Sequence, residues 1–218
     1  MLFRFKNLIV VASLIIGTFV ISELVYIYNK KPQLFSLIYL WRSQKTISND
    51  FSKGVKYLEK AAAINIYFQN QKYPTLIPKN YKPDLNIEND SNLKTKIQSY
   101  ATGLDITNIA SSLQIELSQI FYEIGIISYS TGSTDSLETL LKTARYLSPE
   151  FSHYHVELAN LYLYSGDVQK AMEAIDFCLN FKSPKKHCED FNKNNLNTGT
   201  FQEPGFLKDV VNSFYKSI

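Results

Sequence analysis

Apolar residues run almost unbroken from Leu8 to Tyr28, as LIVVASLIIGTFV and then Leu24-Val25-Tyr26-Ile27-Tyr28, with Glu23 the single charge among them. About 20 such residues are enough to span the hydrocarbon of a bilayer as a helix. Arg4 and Lys6 precede the run, Lys30 and Lys31 follow it, and Tyr26 and Tyr28 fall where an interfacial aromatic belt lies. The pattern predicts an N-terminal transmembrane helix, with residues 1–31 as a single-pass anchor. A cleaved signal peptide is the rival reading. It requires a shorter apolar core followed by a small-x-small site, and Phe19-Val20-Ile21-Ser22-Glu23 offers none. Basic residues flank both ends, so charge barely sets the orientation; the very short basic N-terminal tail favours a domain on the extracytoplasmic side. Ser13 and Gly17, four apart, have the spacing that permits close helix pairing, a spacing also common by chance.

Past Pro32 the apolar spacing becomes helical and amphipathic. Gln33–Ser48 contains LFSLIYLW, which suits either a helix lying on the membrane or the first helix of the domain. Between Asp50 and Gln69, Val55, Leu58, Ala62 and Ile66 recur at helical spacing behind a cap at Asn49 or Asp50. Residues 70–92 break this pattern: Pro74, Pro78 and Pro83 among several Asn, Asp and Lys cannot continue a helix and leave few side chains to bury. A surface loop is expected there, with a binding loop or mobile flap as the functional alternative. Helix resumes over Leu93–Tyr100 and from about Asp105 to Thr131, where Ile109, Leu113, Ile120, Ile124 and Ile127 form a stripe. Ser136–Leu147, Phe151–Tyr164 and Asp167–Phe181 follow, and after the polar Asn192–Thr200 link comes Pro204–Tyr215, with Phe206, Leu207, Val210, Val211 and Phe214 on one face. No strand-hairpin signal occurs. The predicted fold is all-α.

One pattern is written twice. Ile124-Gly125, Gly132, Leu137, Leu141 and Ala144 align with Leu158-Ala159, Gly166, Ala171, Ile175 and Cys178 at an offset of 34 residues, with Pro149 and Pro184 closing the two copies. A period of that size marks a helix-turn-helix repeat. The second copy, 152–184, resembles a tetratricopeptide (TPR) unit in Leu158-Ala159, Tyr162, Gly166-Asp167, Ala171 and Ile175. The first, 118–149, resembles it less closely, and residues 33–69 resemble a degenerate pair, with Ile66 where the family carries proline. The resemblance implies a short solenoid made of the pair over 33–69 and the helical segment over 93–184, interrupted by 70–92, whose last repeat needs the terminal helix within 185–218 as a cap. It also implies a concave groove for a peptide or partner helix, lined by Tyr122, Ile126, Tyr129, His153, Val156, Asn160 and Tyr164. Asn160 matches one position of the family's carboxylate clamp, but Val156 and Ile126 replace its lysine and second asparagine. An apolar or extended peptide is therefore the expected ligand, although the same tyrosines suit simple packing between helices.

Composition narrows the function further. Without residues 1–29 the chain holds 21 basic and 19 acidic side chains, too balanced for a nucleic-acid surface. Cys178 and Cys188 are the only cysteines. They form a disulfide if the domain lies outside the cytoplasm, the preferred reading, and otherwise stand as free thiols with Cys178 buried. His153, His155 and His187 beside Cys188 and Glu189 match no common zinc spacing, so no metal and no cofactor is expected. No phosphate loop, GxSxG elbow or HExxH occurs, and nothing argues for catalysis. The reading is a membrane-tethered, TPR-like scaffold that binds another protein, in envelope assembly or secretion. Two alternatives stand beside it: an anchored or secreted enzyme subunit with a metal or thiol site, and a structural accessory of a larger membrane complex.

Overall fold

Helices are the only regular structure among the residues that the computed structural model describes: 13, 16–27, 31–85, 91–104, 113–130, 136–181 and 185–196. Residues 16–27 are helical (α1) and belong to the expected span Leu8–Tyr28, the rest of which, apart from Ser13, lies outside the described residues. Among the described residues no helix is long and apolar enough to cross a membrane. The side chains of Ile16, Phe19, Val20, Ile21, Leu24, Val25 and Tyr26 nevertheless stand exposed on every side of α1.

α2 (Pro32–Thr46) and α3 (Phe51–Lys72) form the first hairpin. Asp50 caps α3 by accepting the Lys53 backbone N–H at 3.0 Å, satisfying one of the donors that a helix start leaves unpaired. Gly54 sets the approach of the two helices: a Cβ there would lie 2.5 Å from the Cα and Cβ of Ile47. Their interface is partly polar. The Ser43 hydroxyl donates to the Gly54 carbonyl at 2.8 Å, and Asn65 donates to both the Ser36 hydroxyl and the Ala61 carbonyl.

Of the expected loop over 70–92, residues 70–72 continue α3, 91–92 open the next helix and 86–90 lie outside the described residues; the stretch 73–85 is not a loose surface segment. Ile77 and Leu85 are buried in the core. The Tyr81 hydroxyl reaches the Thr139 carbonyl at 3.0 Å and the Thr143 hydroxyl at 2.7 Å, and its ring meets Tyr146 edge-on at 4.7 Å. Leu85 donates its backbone N–H to Glu59 at 2.8 Å. These four anchors fasten the segment to α3 and to the helix over Leu137–Leu147 (numbered α6 below), which the scarcity of apolar residues did not suggest.

α4 (Ser91–Gly103) leads into two hairpins: α5 (Leu113–Ser130) with α6 (Leu137–Leu147), then α7 (Ser152–Tyr164) with α8 (Val168–Leu179). Within α6, Leu137, Leu140, Leu141, Ala144 and Leu147 are buried, the stripe that helical periodicity requires. Gly125 of α5 sits beneath it, 3.2 Å from Leu140 Cβ were it to carry a side chain. The α7–α8 turn is a Schellman motif: Gly166, at φ +81°, donates to the Leu163 carbonyl and Asp167 to that of Tyr162. Asp167 then caps α8 through the Lys170 backbone N–H at 3.1 Å.

α9 (Lys186–Phe191) runs into a π-helical turn, Asn192–Leu196. Sequence treats this region as a linker, because two apolar residues give no periodicity, yet both Cys188 and Phe191 are buried. The Cys178–Cys188 disulfide joins α8 to α9. The Gly132 turn, the Asp105 cap, Pro184 and the capping helix expected over Pro204–Tyr215 lie outside the described residues. One contiguous core extends from Leu40 to Phe191.

Candidate functional site

The residues expected to line a groove come together mostly inside the domain. Tyr122, Ile126, Val156, Asn160 and His153 are buried, Tyr129 is half-buried, and Tyr164 is the most exposed at 51%. The Tyr122 hydroxyl donates to the buried Glu157 carboxylate at 3.0 Å, and its ring lies 5.6 Å from Tyr154 and 6.1 Å from His153. Ser118 and Tyr154 share a further buried hydrogen bond of 2.9 Å. This cluster ties α5 to α7.

His153 and His155 are packing residues with suppressed basicity. Burial first, then His187 and His155, pushes the His153 imidazole down to about 3. His155 is fully buried, with Nε2 2.8 Å from the Pro149 carbonyl and Nδ1 3.2 Å from that of Ala174. Two carbonyls favour the doubly protonated ring, but burial and the nearby Arg145 charge outweigh them and hold it down to about 3. His187 meets the Ser152 hydroxyl at 3.4 Å instead of joining the other two. Among the described residues no three His, Cys, Asp or Glu side chains gather in a set able to hold a metal ion.

An open cleft of about 740 Å³ lies elsewhere, where the proline-rich segment passes the end of α8. Tyr73, Phe177 and Phe181 form its aromatic walls, with Thr75 and Asn180 beside them. Tyr73 and Phe181 meet edge-on at 5.3 Å, Phe177 and Phe181 at 5.1 Å. Lys72 and Glu150 close one rim in an ion pair of 2.6 Å, to which the Tyr73 hydroxyl also donates. That pair is exposed, so it fixes the rim's geometry more than it stabilises the fold.

A second pocket of about 330 Å³ shares Thr75 and Phe177 with the first. Leu76, Ala174 and Phe177 give it an apolar side, while Lys142, Arg145, Lys170, Tyr162 and Glu173 give it a polar one. Lys142 is paired with Glu138 at 2.6 Å and Lys170 with Asp167 at 2.8 Å. Burial pushes the Glu138 carboxyl up, but Lys142 and the Tyr162 hydroxyl, 3.0 Å away, outweigh it and hold the group below its ordinary value. The Tyr162 phenol is in turn held well above its ordinary value, by burial and then by Glu138.

Sequence reasoning singled out none of Tyr73, Arg145, Phe177 or Phe181. Arg145 carries a readable signal, standing four positions after Leu141 on the buried stripe of α6, where a charge is out of place. The aromatic cleft carries none, because one wall comes from a segment without periodicity. No family model, curated protein or solved structure matches this chain.

Proposed function

We propose that the chain is a membrane-tethered, TPR-like scaffold that binds a segment of another protein. The observation that carries the reading is the aromatic cleft of about 740 Å³ laid against stacked helical hairpins. Rings at Tyr73, Phe177 and Phe181 offer large contact area at small entropic cost, the character of anchor pockets in protein recognition. The 34-residue offset supports the TPR-like repeat: Gly125 packs under α6, and Ala159, its counterpart in the next hairpin, is fully buried.

Three observations support the tether and its side. α1 is largely apolar and exposed, with Glu23 its single charge, which suits lipid as its surroundings. α2 turns Ser36, Leu40 and Ser43 to the core, as does Ile47 just past its end, while Leu34, Ile38 and Trp41 form an exposed apolar stripe on its other face. The disulfide suits an oxidising compartment and hence an extracytoplasmic domain.

A photocrosslinking amino acid at Asn180, an exposed residue lining the cleft, tests the binding reading in intact cells. A discrete protein adduct is expected from position 180 and not from Lys56, exposed on α3, and F181A in the same chain is expected to weaken it. Equal adducts from both positions, or none from either, would remove the assignment.

A further inference from the structure

We infer that the pocket around Arg145 is a carboxylate site, receiving an acidic residue of the segment that occupies the adjoining aromatic cleft. The inference rests on the partner-binding reading for the source of the carboxylate, though not for the chemistry of the site. Arg145 is only 8% exposed, and its Nε has no hydrogen-bond partner among the described residues. No carboxylate lies within ion-pair distance of it among the described residues. The Tyr146 ring, 5.2 Å from the guanidinium carbon, offsets only part of the cost of holding that charge away from water. Buried cations are as a rule paired, so a guanidinium at the wall of a pocket with no carboxylate beside it among the described residues is short of one anion.

The surroundings select the kind of anion. Lys142 and Lys170 already have carboxylate partners, which leaves Arg145, among the described residues, as the one uncompensated cation of the lining. Glu173 also borders the pocket, but it is exposed and accepts from Gln169 at 3.2 Å, so water screens it from Arg145. A monoanion matches one free guanidinium; a phosphate dianion would carry excess charge toward Glu173. Planar carboxylates also fit the fork of Nε–H and Nη–H donors. Leu76, Ala174 and Phe177 supply an apolar wall for the ligand's carbon atoms. Because Thr75 and Phe177 border both cavities, an acidic residue here sits beside an apolar or aromatic residue in the larger cleft. This surface lies against α6 and α8, away from the α5–α7 positions where the repeat family holds its peptides.

The arginine side chain reports directly on binding. The chain has three arginines, Arg4, Arg42 and Arg145, so a nitrogen-15 spectrum of the full chain in detergent micelles holds no more than three Nε–H signals. R4K and R42K assign the Arg145 signal by elimination and leave the site untouched. The probes are the blocked dipeptide acetyl-Phe-Glu-amide, its Gln counterpart and inorganic phosphate. A saturable shift of the Arg145 signal is expected with the Glu peptide, at an affinity roughly tenfold or more above the Gln peptide, as a charge-assisted bond requires. Equal responses to the two peptides, a stronger response to phosphate, or an unmoved signal would each overturn the inference. An unmoved signal alongside a position-180 adduct removes the carboxylate and leaves partner binding standing. A saturable Glu-specific shift without any adduct upholds the carboxylate site and removes the scaffold reading.

Discussion

His155 shows how one side chain can set the acid limit of the fold. The folded imidazole takes no proton until about pH 3, while an unfolded one does so near 6.5. Between those values the unfolded chain binds more protons, so stability is present above 6.5 and is lost as pH falls toward 3. One such group contributes a slope of about 1.4 kcal/mol per pH unit inside that window. His153, also held down to about 3 by burial, adds a second contribution of the same sign. H155L leaves the Pro149 and Ala174 carbonyls without the ring. It is expected to cost about 1–3 kcal/mol at neutral pH, the penalty of an unsatisfied buried acceptor. The same variant should flatten the acid limb by one proton's worth of slope, as read by denaturant unfolding at a series of pH values. An unchanged slope would mean that His155 is not held neutral in the folded chain.

At the scale of elements, the two hairpins α5–α6 and α7–α8 are legible because their small residues do a steric job that recurs. Gly166 must adopt a positive φ to close the Schellman turn, and Asp167 must follow it to cap α8. The proline-rich segment is illegible for the opposite reason. Its anchors, Tyr81 on Thr139 and Thr143 and Leu85 on Glu59, are tertiary contacts spread over irregular backbone, so no period announces them. α9 is too short to show a stripe, and its packing rests on Cys188 and Phe191 alone. The aromatic cleft inherits this illegibility, since Tyr73 and Phe181 are far apart in sequence and meet only once the segment is pinned. Glycines distinguish close helix contacts from open ones. G54A drives a methyl into the backbone of Ile47 and is expected to destabilise by about 1–3 kcal/mol. G103A, with nothing within 4 Å of its added carbon, is expected to be neutral or to stabilise by up to about 1 kcal/mol. Thermal melts of the two variants check the pair, and equal effects would contradict the close α2–α3 crossing.

For the whole molecule, the decisive relation is between the proposed anchor and the domain it carries. α2 has two faces: Ser36, Leu40 and Ser43 pack inward, and Leu34, Ile38 and Trp41 point outward within one narrow arc. A stripe of that kind is costly in water but suits the boundary between lipid head groups and acyl chains, where tryptophan is favoured. Arg42 and Lys45, on the same helix, can reach anionic head groups. If α1 crosses the bilayer, α2 is therefore expected to lie along its surface, which would hold the domain close to the membrane instead of on a free tether. Trp41 is the only tryptophan in the chain, so its fluorescence reads this directly. In vesicles carrying the full chain, lipids brominated near the head group should quench Trp41 strongly and aqueous iodide should quench it weakly. L34E combined with I38E should reverse that order while leaving the helical content unchanged, because neither side chain faces the core. Free access of iodide to Trp41 in the unmodified chain would detach α2 from the membrane surface. The exposed stripe would then need a protein partner of its own.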